Sequence, residues 1–223
     1  MAVITRTNED IKKDIVDQLY WDARVDASNV EVAVSDGQVS LTGTVPNHTA
    51  YLAASEDAWA MSGVKNVRNQ LQIEYPSGFE VPKDAELKVN IENLLLWQPN
   101  IDSTYMDVLV DKGWITLRGS VDAYWKKIRA EEIVLGLKGV IGLTNELAIV
   151  PTREFTDKVI AKNIEAALER NAGTDVDMID VQVENGKVIL SGSVSSLPAY
   201  RESKKIAENT PGVVMVSNEL IIR

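Results

Sequence analysis

One short pattern occurs three times along the chain and constrains its fold more than any other feature. In each copy, apolar and polar residues alternate, a two-residue break ending in glycine follows, and the alternation resumes; the copies span residues 32–45, 108–121 and 181–194. This pattern predicts a β-hairpin with a type I′ turn. The turn glycines Gly37, Gly113 and Gly186 are 76 and 73 residues apart (113−37 and 186−113). The sequence therefore predicts three similar units.

The elements around each hairpin recur with the same offsets. An apolar stripe at i, i+4 and i+8 precedes each hairpin and predicts a helix; its members are Ile11, Ile15 and Leu19, then Leu87, Ile91 and Leu95, then Ile160, Ile164 and Leu168. A second helix and a third strand follow each hairpin, and the strand contains Asn69, Asn145 or Asn218. The first helix of each repeat has an acceptable N-cap residue, which is Asn8, Asp84 or Thr156. Asp157 follows directly after Thr156.

The order of elements predicts an α+β fold of three tandem α-β-β-α-β domains. A hairpin makes strands one and two antiparallel, and a helix between strands two and three permits a right-handed parallel crossover. Each domain is therefore expected to be a three-stranded mixed sheet with two helices on one face. We name the domains repeat 1 (8–75), repeat 2 (83–150) and repeat 3 (155–223). The linkers contain Phe79 and Phe155, which are predicted to pack back onto the preceding repeat.

Charge and composition exclude several classes of function. The net charge is −10, which disfavours nucleic-acid binding because that rests on Lys and Arg neutralising phosphates. The chain has no cysteine, so disulfides and thiolate zinc sites are excluded. No apolar run reaches the ~20 residues of a transmembrane segment. Residues 1–7 lack an apolar core of signal-peptide length, so we expect a cytoplasmic protein, or a periplasmic one only if the numbering starts after processing.

These motifs resemble the BON domain family. The resemblance rests on the hairpin with its x-Gly turn, the following Gly-Ser/Thr-Val at Gly43, Gly119 and Gly192, and the Asn-Gln/Glu-Leu of the last strand. It covers nearly the whole chain. It implies a non-enzymatic protein associated with cell envelopes, osmotic stress and phospholipid surfaces. Members of the family commonly have two copies of the domain, whereas this chain has three.

Catalytic and metal-binding residues are not expected. The single histidine, His48, has no counterpart in the other repeats, and no nucleophile lies beside a base in the sequence. Asp175, Asp177 and Asp180 cluster, but the glycine and distal glutamate of an EF-hand loop are missing. Asp26 and Asp102 are equivalent to Asp175, which predicts a role in turns or backbone capping. We therefore assign no catalytic residue, metal or cofactor.

Aromatic and basic residues of repeat 2 are the candidate contacts with a lipid or a partner. They are Trp97, Trp114, Tyr124, Trp125, Lys126, Lys127 and Arg129. Aromatic rings next to basic side chains are suited to a phospholipid headgroup surface. Trp114 is out of phase with the inward-facing Ile115 and Leu117, so we expect it on the open face of the sheet. The alternative is that Trp97, Tyr124 and Trp125 pack between domains.

The sequence thus predicts a non-enzymatic, stress-associated binding or scaffold protein with peripheral phospholipid recognition. The alternatives are a homo-oligomeric or protein-partner scaffold that binds no lipid, and a cation- or solute-sensing module. Exposed strand edges favour the first alternative, because unpaired edge groups can pair with another chain. The acidic composition favours the second.

Overall fold

The computed structural model of the chain describes residues 6–78, 80–171 and 178–222. The chain divides into two compact units. The first contains the whole of repeat 1 and covers Met1–Leu87, Val110–Ile115 and Leu135–Leu143. The second contains the whole of repeat 3 and covers Lys88–Leu109, Thr116–Val134 and Thr144–Arg223.

Repeat 1 has the predicted order of elements. They are α1 (Asn8–Trp21), β1 (Val30–Ser35), β2 (Gln38–Val45), α2 (His48–Ala60), β3 (Asn66–Asn69) and β4 (Gln72–Ile73). The strand β2 lies in the centre, antiparallel to β1 and parallel to both β3 and β4. The predicted third strand is thus divided into two segments. The backbone N–H of Gln70, which lies between them, still donates to the carbonyl oxygen of Leu41 at 2.8 Å.

Repeats 2 and 3 have the same order, with an undivided third strand. Repeat 2 contains α3 (Asp84–Leu96), β5 (Met106–Asp111), β6 (Trp114–Val121), α4 (Tyr124–Leu135) and β7 (Gly142–Ile149). Repeat 3 contains α5 (Asp157–Arg170), β8 (Ile179–Glu184), β9 (Lys187–Val194), α6 (Leu197–Glu208) and β10 (Met215–Ile222). The central strands are β6 and β9. The predicted α+β class with three mixed sheets is confirmed.

The predicted helix stripes form the core of each repeat. In repeat 1, Ile11, Ile15 and Leu19 of α1 are buried in one cluster with Leu41 of β2 and with four alanines of α2. In repeat 3, the stripe of α5 is buried with β9 and with two alanines of α6. Because both helices share a cluster with the same side of the sheet, they cover one face and leave the other open. The small residues of α2 and α6 allow these helices to approach the sheet closely.

The predicted N-caps are confirmed in repeat 3 and wrong in repeat 1. Thr156 is the N-cap of α5 as predicted, whereas Thr7, and not Asn8, is the N-cap of α1. Asp157, the residue after the cap of α5, accepts hydrogen bonds at 2.8 Å from the backbone N–H groups of Asn185 and Gly186 in the hairpin turn. Asp84 binds the turn of repeat 2 in the same way at 2.7 and 3.0 Å. Asn8 makes one such bond, of 3.1 Å, in repeat 1. We call these three side chains the turn clamp.

The Gly-Ser/Thr-Val motif marks a close backbone approach. Gly119 has φ +114°, and a Cβ there would lie 1.8 Å from the carbonyl oxygen of Tyr105. Gly43 and Gly192 have the same geometry. The asparagine of the third strand ties this strand to the second helix: Asn145 donates to the carbonyl oxygen of Lys127 at 3.0 Å and accepts from the N–H of Leu147. Both motifs therefore serve the fold.

The linkers contact the repeat that follows them. Phe155 packs against the core of repeat 3, where its ring lies beside Gly212 and Ile160, so the prediction that it packs backwards is wrong. Phe79 lies outside the described residues. The hydroxyl of Tyr75 accepts from the N–H of Gly139 at 2.9 Å and donates to the carbonyl oxygen of Val140 at 3.0 Å. Gly139 and Gly212, which lack a side chain, leave space for the linker that precedes their repeat.

Candidate binding surface

The most exposed aromatic side chains lie at the ends of the first helices of repeats 1 and 2. Trp21 is 79% exposed and Trp97 is 80% exposed. Their neighbours Tyr20 and Leu96 are exposed as well. Each pair follows directly on the last buried residue of a helix stripe, so the helix geometry turns it away from the core. We call Tyr20 with Trp21, and Leu96 with Trp97, the helix-end pairs.

Repeat 3 has no helix-end pair. The equivalent positions there are Glu169 and Arg170, and both are exposed. The fold therefore does not require an apolar residue at this place. In repeat 1 the rings of Tyr20 and Trp21 stand edge to face, with centroids 5.8 Å apart and an interplanar angle of 87°. Such an edge-to-face contact orders the two rings relative to each other.

Trp114 lies on the open face of the sheet of repeat 2. It is 47% exposed, and its ring covers Gly142 of the neighbouring strand. A Cβ at position 142 would lie 2.3 Å from the ring atom Cζ3, so glycine is needed there for the ring to lie flat on the strand. The equivalent of Gly142 in repeat 3 is Met215. This face thus holds a partly covered ring rather than a freely projecting one.

Tyr124 contacts repeat 3. It packs against the core cluster of that repeat, and its hydroxyl interacts with the backbone of Val216 on β10. Burial, together with the charge of Glu208, raises the pKa of Tyr124. Tyr124 therefore occupies the position between domains that the sequence left as an alternative.

The basic side chains of α4 are paired with acceptors of the same repeat. Lys126 lies 2.8 Å from a carboxylate oxygen of Asp122 and 5.6 Å from the centre of the Trp125 ring. Lys127 donates to the carbonyl oxygen of Leu147 at 2.8 Å. Arg129 lies 3.1 Å from Glu132. These contacts reduce the positive charge that this helix offers to an anionic surface.

The other sequence candidates have structural roles. His48 stacks on Tyr51 with ring centroids 5.4 Å apart. Asp26 and Asp102 cap short 3-10 turns through the backbone N–H groups of Ser28 and Thr104, at 3.1 and 3.0 Å, as predicted. Hydrogen bonds from the hydroxyls of Ser28 and Thr104, together with these backbone bonds, lower the pKa of both carboxyls. Asp180 is exposed on β8, while Asp175 and Asp177 lie outside the described residues.

Two groups of residues were missed by the sequence reasoning. Tyr20 and Trp21 are not among the sequence candidates, although they follow the stripe of α1 as Leu96 and Trp97 follow that of α3. Their exposure could have been predicted from the sequence, because a residue next to the end of an apolar stripe is turned outward.

The second omission is a buried acid on α2, Asp57, which is 6% exposed. Its equivalents Ile133 and Ile206 are apolar, and this difference is visible in the sequence.

Among residues 6–78, 80–171 and 178–222, no group of three His, Asp or Glu side chains is arranged to hold a metal ion. Within the same residues, every helix is too short or too polar to cross a bilayer.

The sequence profile of the BON domain matches residues 7–75, 83–151 and 156–223. The chain belongs to the BON domain family. The helix-end pairs are thus features of its first two BON domains.

Other comparisons found one curated relative and a solved structure of similar length. This chain is 27% identical over 143 residues to osmotically-inducible protein Y of Escherichia coli strain K12. The aligned region covers 61% of this chain and 71% of that protein. Among solved structures this chain matches CdsD, a structural protein of the type III secretion system of Chlamydia trachomatis. That match has 17% identity and a TM-score of 0.27 and covers 96% of this chain and 92% of that one.

Proposed function

We propose that this BON protein binds the surface of zwitterionic phospholipid bilayers through its two helix-end pairs. One observation carries the proposal. Trp21 and Trp97 are each about four-fifths exposed at equivalent places, 79% and 80%, while repeat 3 has charged residues there. An apolar residue that the fold does not need and leaves in water is typical of an interaction surface.

The chemistry of the indole ring favours the interfacial layer of a bilayer. Tryptophan has an apolar body and one N–H donor, so it is stable at the level of the headgroups, where one end is dry and the other wet. Its face also attracts quaternary ammonium groups by cation–π interaction, and phosphatidylcholine has such a group. Two rings at the two helix ends therefore match a choline-bearing surface.

The charge of the protein selects zwitterionic over anionic lipid. The chain has a net charge of −10. Repeat 1 holds 11 acidic and 5 basic residues, which gives −6. Asp17, one helical turn before Trp21, is exposed. Negative charge around the ring repels anionic headgroups and stabilises a choline cation, so the electrostatic and aromatic contributions favour the same lipid.

The proposal is tested with vesicles of phosphatidylcholine, by co-flotation and by quenching of tryptophan fluorescence with brominated lipid. Insertion of about half a ring removes about 100 Å² from water, which is worth roughly 2.5 kcal/mol. Replacing Trp21 or Trp97 with alanine is therefore expected to weaken binding by more than about tenfold. The double variant is expected to stay in solution. Because both side chains are exposed, the variants should fold normally.

Arg170→Ala is the matched control, since it changes the equivalent position of repeat 3. We expect it to bind as the unchanged protein does. Vesicles containing phosphatidylglycerol form the second arm, and they are expected to bind more weakly. Stronger binding to these vesicles that is lost in Lys126→Glu/Lys127→Glu would favour the basic residues of α4 instead. Equal binding by the Trp21→Ala/Trp97→Ala variant and the unchanged protein would overturn the proposal.

A further inference from the structure

Four exposed apolar side chains lie on the open face of the sheet of repeat 3, which α5 and α6 leave uncovered. They alternate along their strands with residues of the core cluster, such as Ile179, Val188 and Leu220. Each of the four is between 38% and 53% exposed. We call Met178, Ile189, Met215 and Ile221 the open-face patch.

The fold does not need apolar residues at these positions. The strand register shows the equivalents, since Ile221 lies opposite Ser193 of β9 as Gln72 lies opposite Thr44 of β2. All four equivalents in repeat 1 are polar, and they are Asn29, Ser40, Asn66 and Gln72. Repeat 2 is intermediate, with Tyr105, Thr116, Gly142 and Ala148. The patch of repeat 3 is therefore surplus to the fold, which is typical of an interaction surface.

Charged side chains lie at different ends of the same face. Lys187 is opposite Met215 at one end. Asp180 and Glu219 lie farther along the strands, on the two sides of Ser191. Among the residues that the structure describes, none of these three charges is in an ion pair. The cation and this pair of acids are thus separated along the strand direction.

Neutral groups already contact the two acids. Gln182 donates to Asp180 at 2.8 Å, and Ser217 donates to Glu219 at 3.2 Å. These bonds order the carboxylates but leave their charges uncompensated, because neither donor is charged. A third acid, Glu184, lies opposite Lys187 on the edge strand β8, where its exposed side chain stays in water. The face therefore fits a partner that is apolar and brings a cation to Asp180 and Glu219.

We propose that this face of repeat 3 binds the same face of a second copy of the chain, with the strands of the two sheets antiparallel. In this isologous arrangement, Met215 of each copy lies over Ile221 of the other copy. Lys187 of each copy then lies at the end where the other copy has Asp180 and Glu219. Parallel strands would instead place the two Lys187 side chains over each other. Packed sheets lie about 10 Å apart, so these side chains fill the space between them.

The size of the face fits a weak dimer. The sheet has three strands, and the two longest have eight residues each. Such a face measures roughly 14 Å by 26 Å, so two faces together bury on the order of 1,000 Å² of accessible surface. This area is at the lower limit for a specific interface. We therefore expect a dissociation constant in the micromolar range rather than a permanent dimer.

The charges favour a second copy over a bilayer as the occupant. On a bilayer, Asp180 and Glu219 would lose water with no fixed cation beside them, which is unfavourable. A second copy supplies Lys187 to this pair of acids, and the exchange is reciprocal. The open-face patch and the three charges thus act together only in the dimer.

The test is sedimentation velocity of the full chain from about 5 to about 500 µM, a range that brackets a micromolar dissociation constant. The mass is expected to rise from one copy toward two. Ile221→Lys should raise the dissociation constant more than about tenfold, because it buries a cation over Met215. Gln72→Lys, the same charge change at the equivalent position of repeat 1, is the matched control and should dimerise as the unchanged protein does. Ile221→Gln copies the residue of repeat 1 and should weaken the dimer without adding a charge.

Two mixing experiments test the arrangement of the copies. Lys187→Glu and Asp180→Lys/Glu219→Lys should each be monomeric alone, and a mixture of the two should dimerise because the charges then match. The chain has no cysteine, so single cysteines report contacts between copies. Met215→Cys mixed with Ile221→Cys should be joined by a short bismaleimide, whereas neither variant should be joined to itself.

Several results would overturn the inference. They are a monomer at every concentration, a dimer that Ile221→Lys and Ile221→Gln leave unchanged, and cross-linking of Met215→Cys to itself instead of to Ile221→Cys. Weaker binding of Ile221→Lys to phosphatidylcholine vesicles, with no dimer in the unchanged protein, would assign the open-face patch to lipid and also overturn the dimer. The helix-end pairs are unchanged in all these variants, so the proposed function is tested separately.

Discussion

The turn clamp gives the sharpest test of how these repeats are held together. In repeat 3, the carboxylate of Asp157 accepts two hydrogen bonds of 2.8 Å from the hairpin turn. The turn needs this help, because Asn185 has φ +51° and Gly186 has φ +73°. Two residues in the left-handed region point their N–H groups to the same side, where one carboxylate binds both. We predict that Asp157→Ala weakens the hairpin of repeat 3.

The magnitude follows from the two bonds. A hydrogen bond to a charged group contributes about 1.5–3 kcal/mol to the free energy of unfolding. Because both bonds of Asp157 are accessible to water, each is expected to contribute no more than the lower end of this range. Loss of a negative charge from the first turn of α5 adds about 0.5 kcal/mol. The expected cost of Asp157→Ala is therefore about 3 kcal/mol. In repeat 1, Asn8 makes a single neutral bond of 3.1 Å, so Asn8→Ala should cost about 1 kcal/mol.

Native-state hydrogen exchange measures each hairpin separately within the intact chain. Asp157→Ala is expected to lower the protection of the amides of β8 and β9 about a hundredfold, and Asn8→Ala to lower that of β1 and β2 only a few-fold. Asn8→Asp should raise the protection of repeat 1, because it supplies the second acceptor and the charge. The reasoning is refuted if Asp157→Ala and Asn8→Ala reduce protection equally, or if Asn8→Asp has no effect.

Three further substitutions test other contacts. Gly119→Ala should unfold repeat 2, because its Cβ would lie 1.8 Å from a carbonyl oxygen, and NMR would then show the loss of amide signals from this repeat. Gly78→Ala is the control, since no atom lies within 4 Å of a Cβ at that position, and it should leave the rest of the spectrum unchanged. Asn145→Ala removes two hydrogen bonds from β7 to α4, to the carbonyl oxygen of Lys127 and to the carboxylate of Glu131, and should cost about 2 kcal/mol in chemical denaturation, whereas an unchanged midpoint would contradict the role given to this side chain. Phe155→Ala should destabilise repeat 3 by about 2 kcal/mol, and an effect confined to repeat 2 would contradict the forward packing of the linker.

The regular elements were predictable because their signals are local. A stripe such as Ile11, Ile15 and Leu19 needs only the helical period to be recognised, and the hairpins need only alternation and a glycine turn. The outward position of Trp114 followed from the same alternation. The N-caps were predicted less well, since Thr156 was right and Asn8 was wrong. An acidic residue at a helix start suits a cap and a distant turn equally, and Asp84, which was expected to be a cap, binds a turn 28 and 29 residues away.

The candidate surface was predictable only in part. Trp97 follows a buried stripe, so its exposure could be inferred from position. The basic residues of α4 could not be assessed in this way, since the carbonyl oxygen that binds Lys127 lies 20 residues away on β7. Tyr124 packs against a different repeat, which no period within repeat 2 encodes. A side chain is free for a ligand only when its neighbours in space leave it free.

The three repeats, their α-β-β-α-β order, the buried stripes and the membership of the BON family could be read from the sequence, because these features rest on periods and turns of a few residues. What each polar or aromatic side chain does became visible in the folded chain. It assigned the acids at the helix starts to the hairpin turns, Phe155 to the following repeat, and Asp57 to a buried contact with Gln18. The physical reason is that burial and pairing are set by residues distant in the chain, and these contacts determine the free energy of a charge or an aromatic ring.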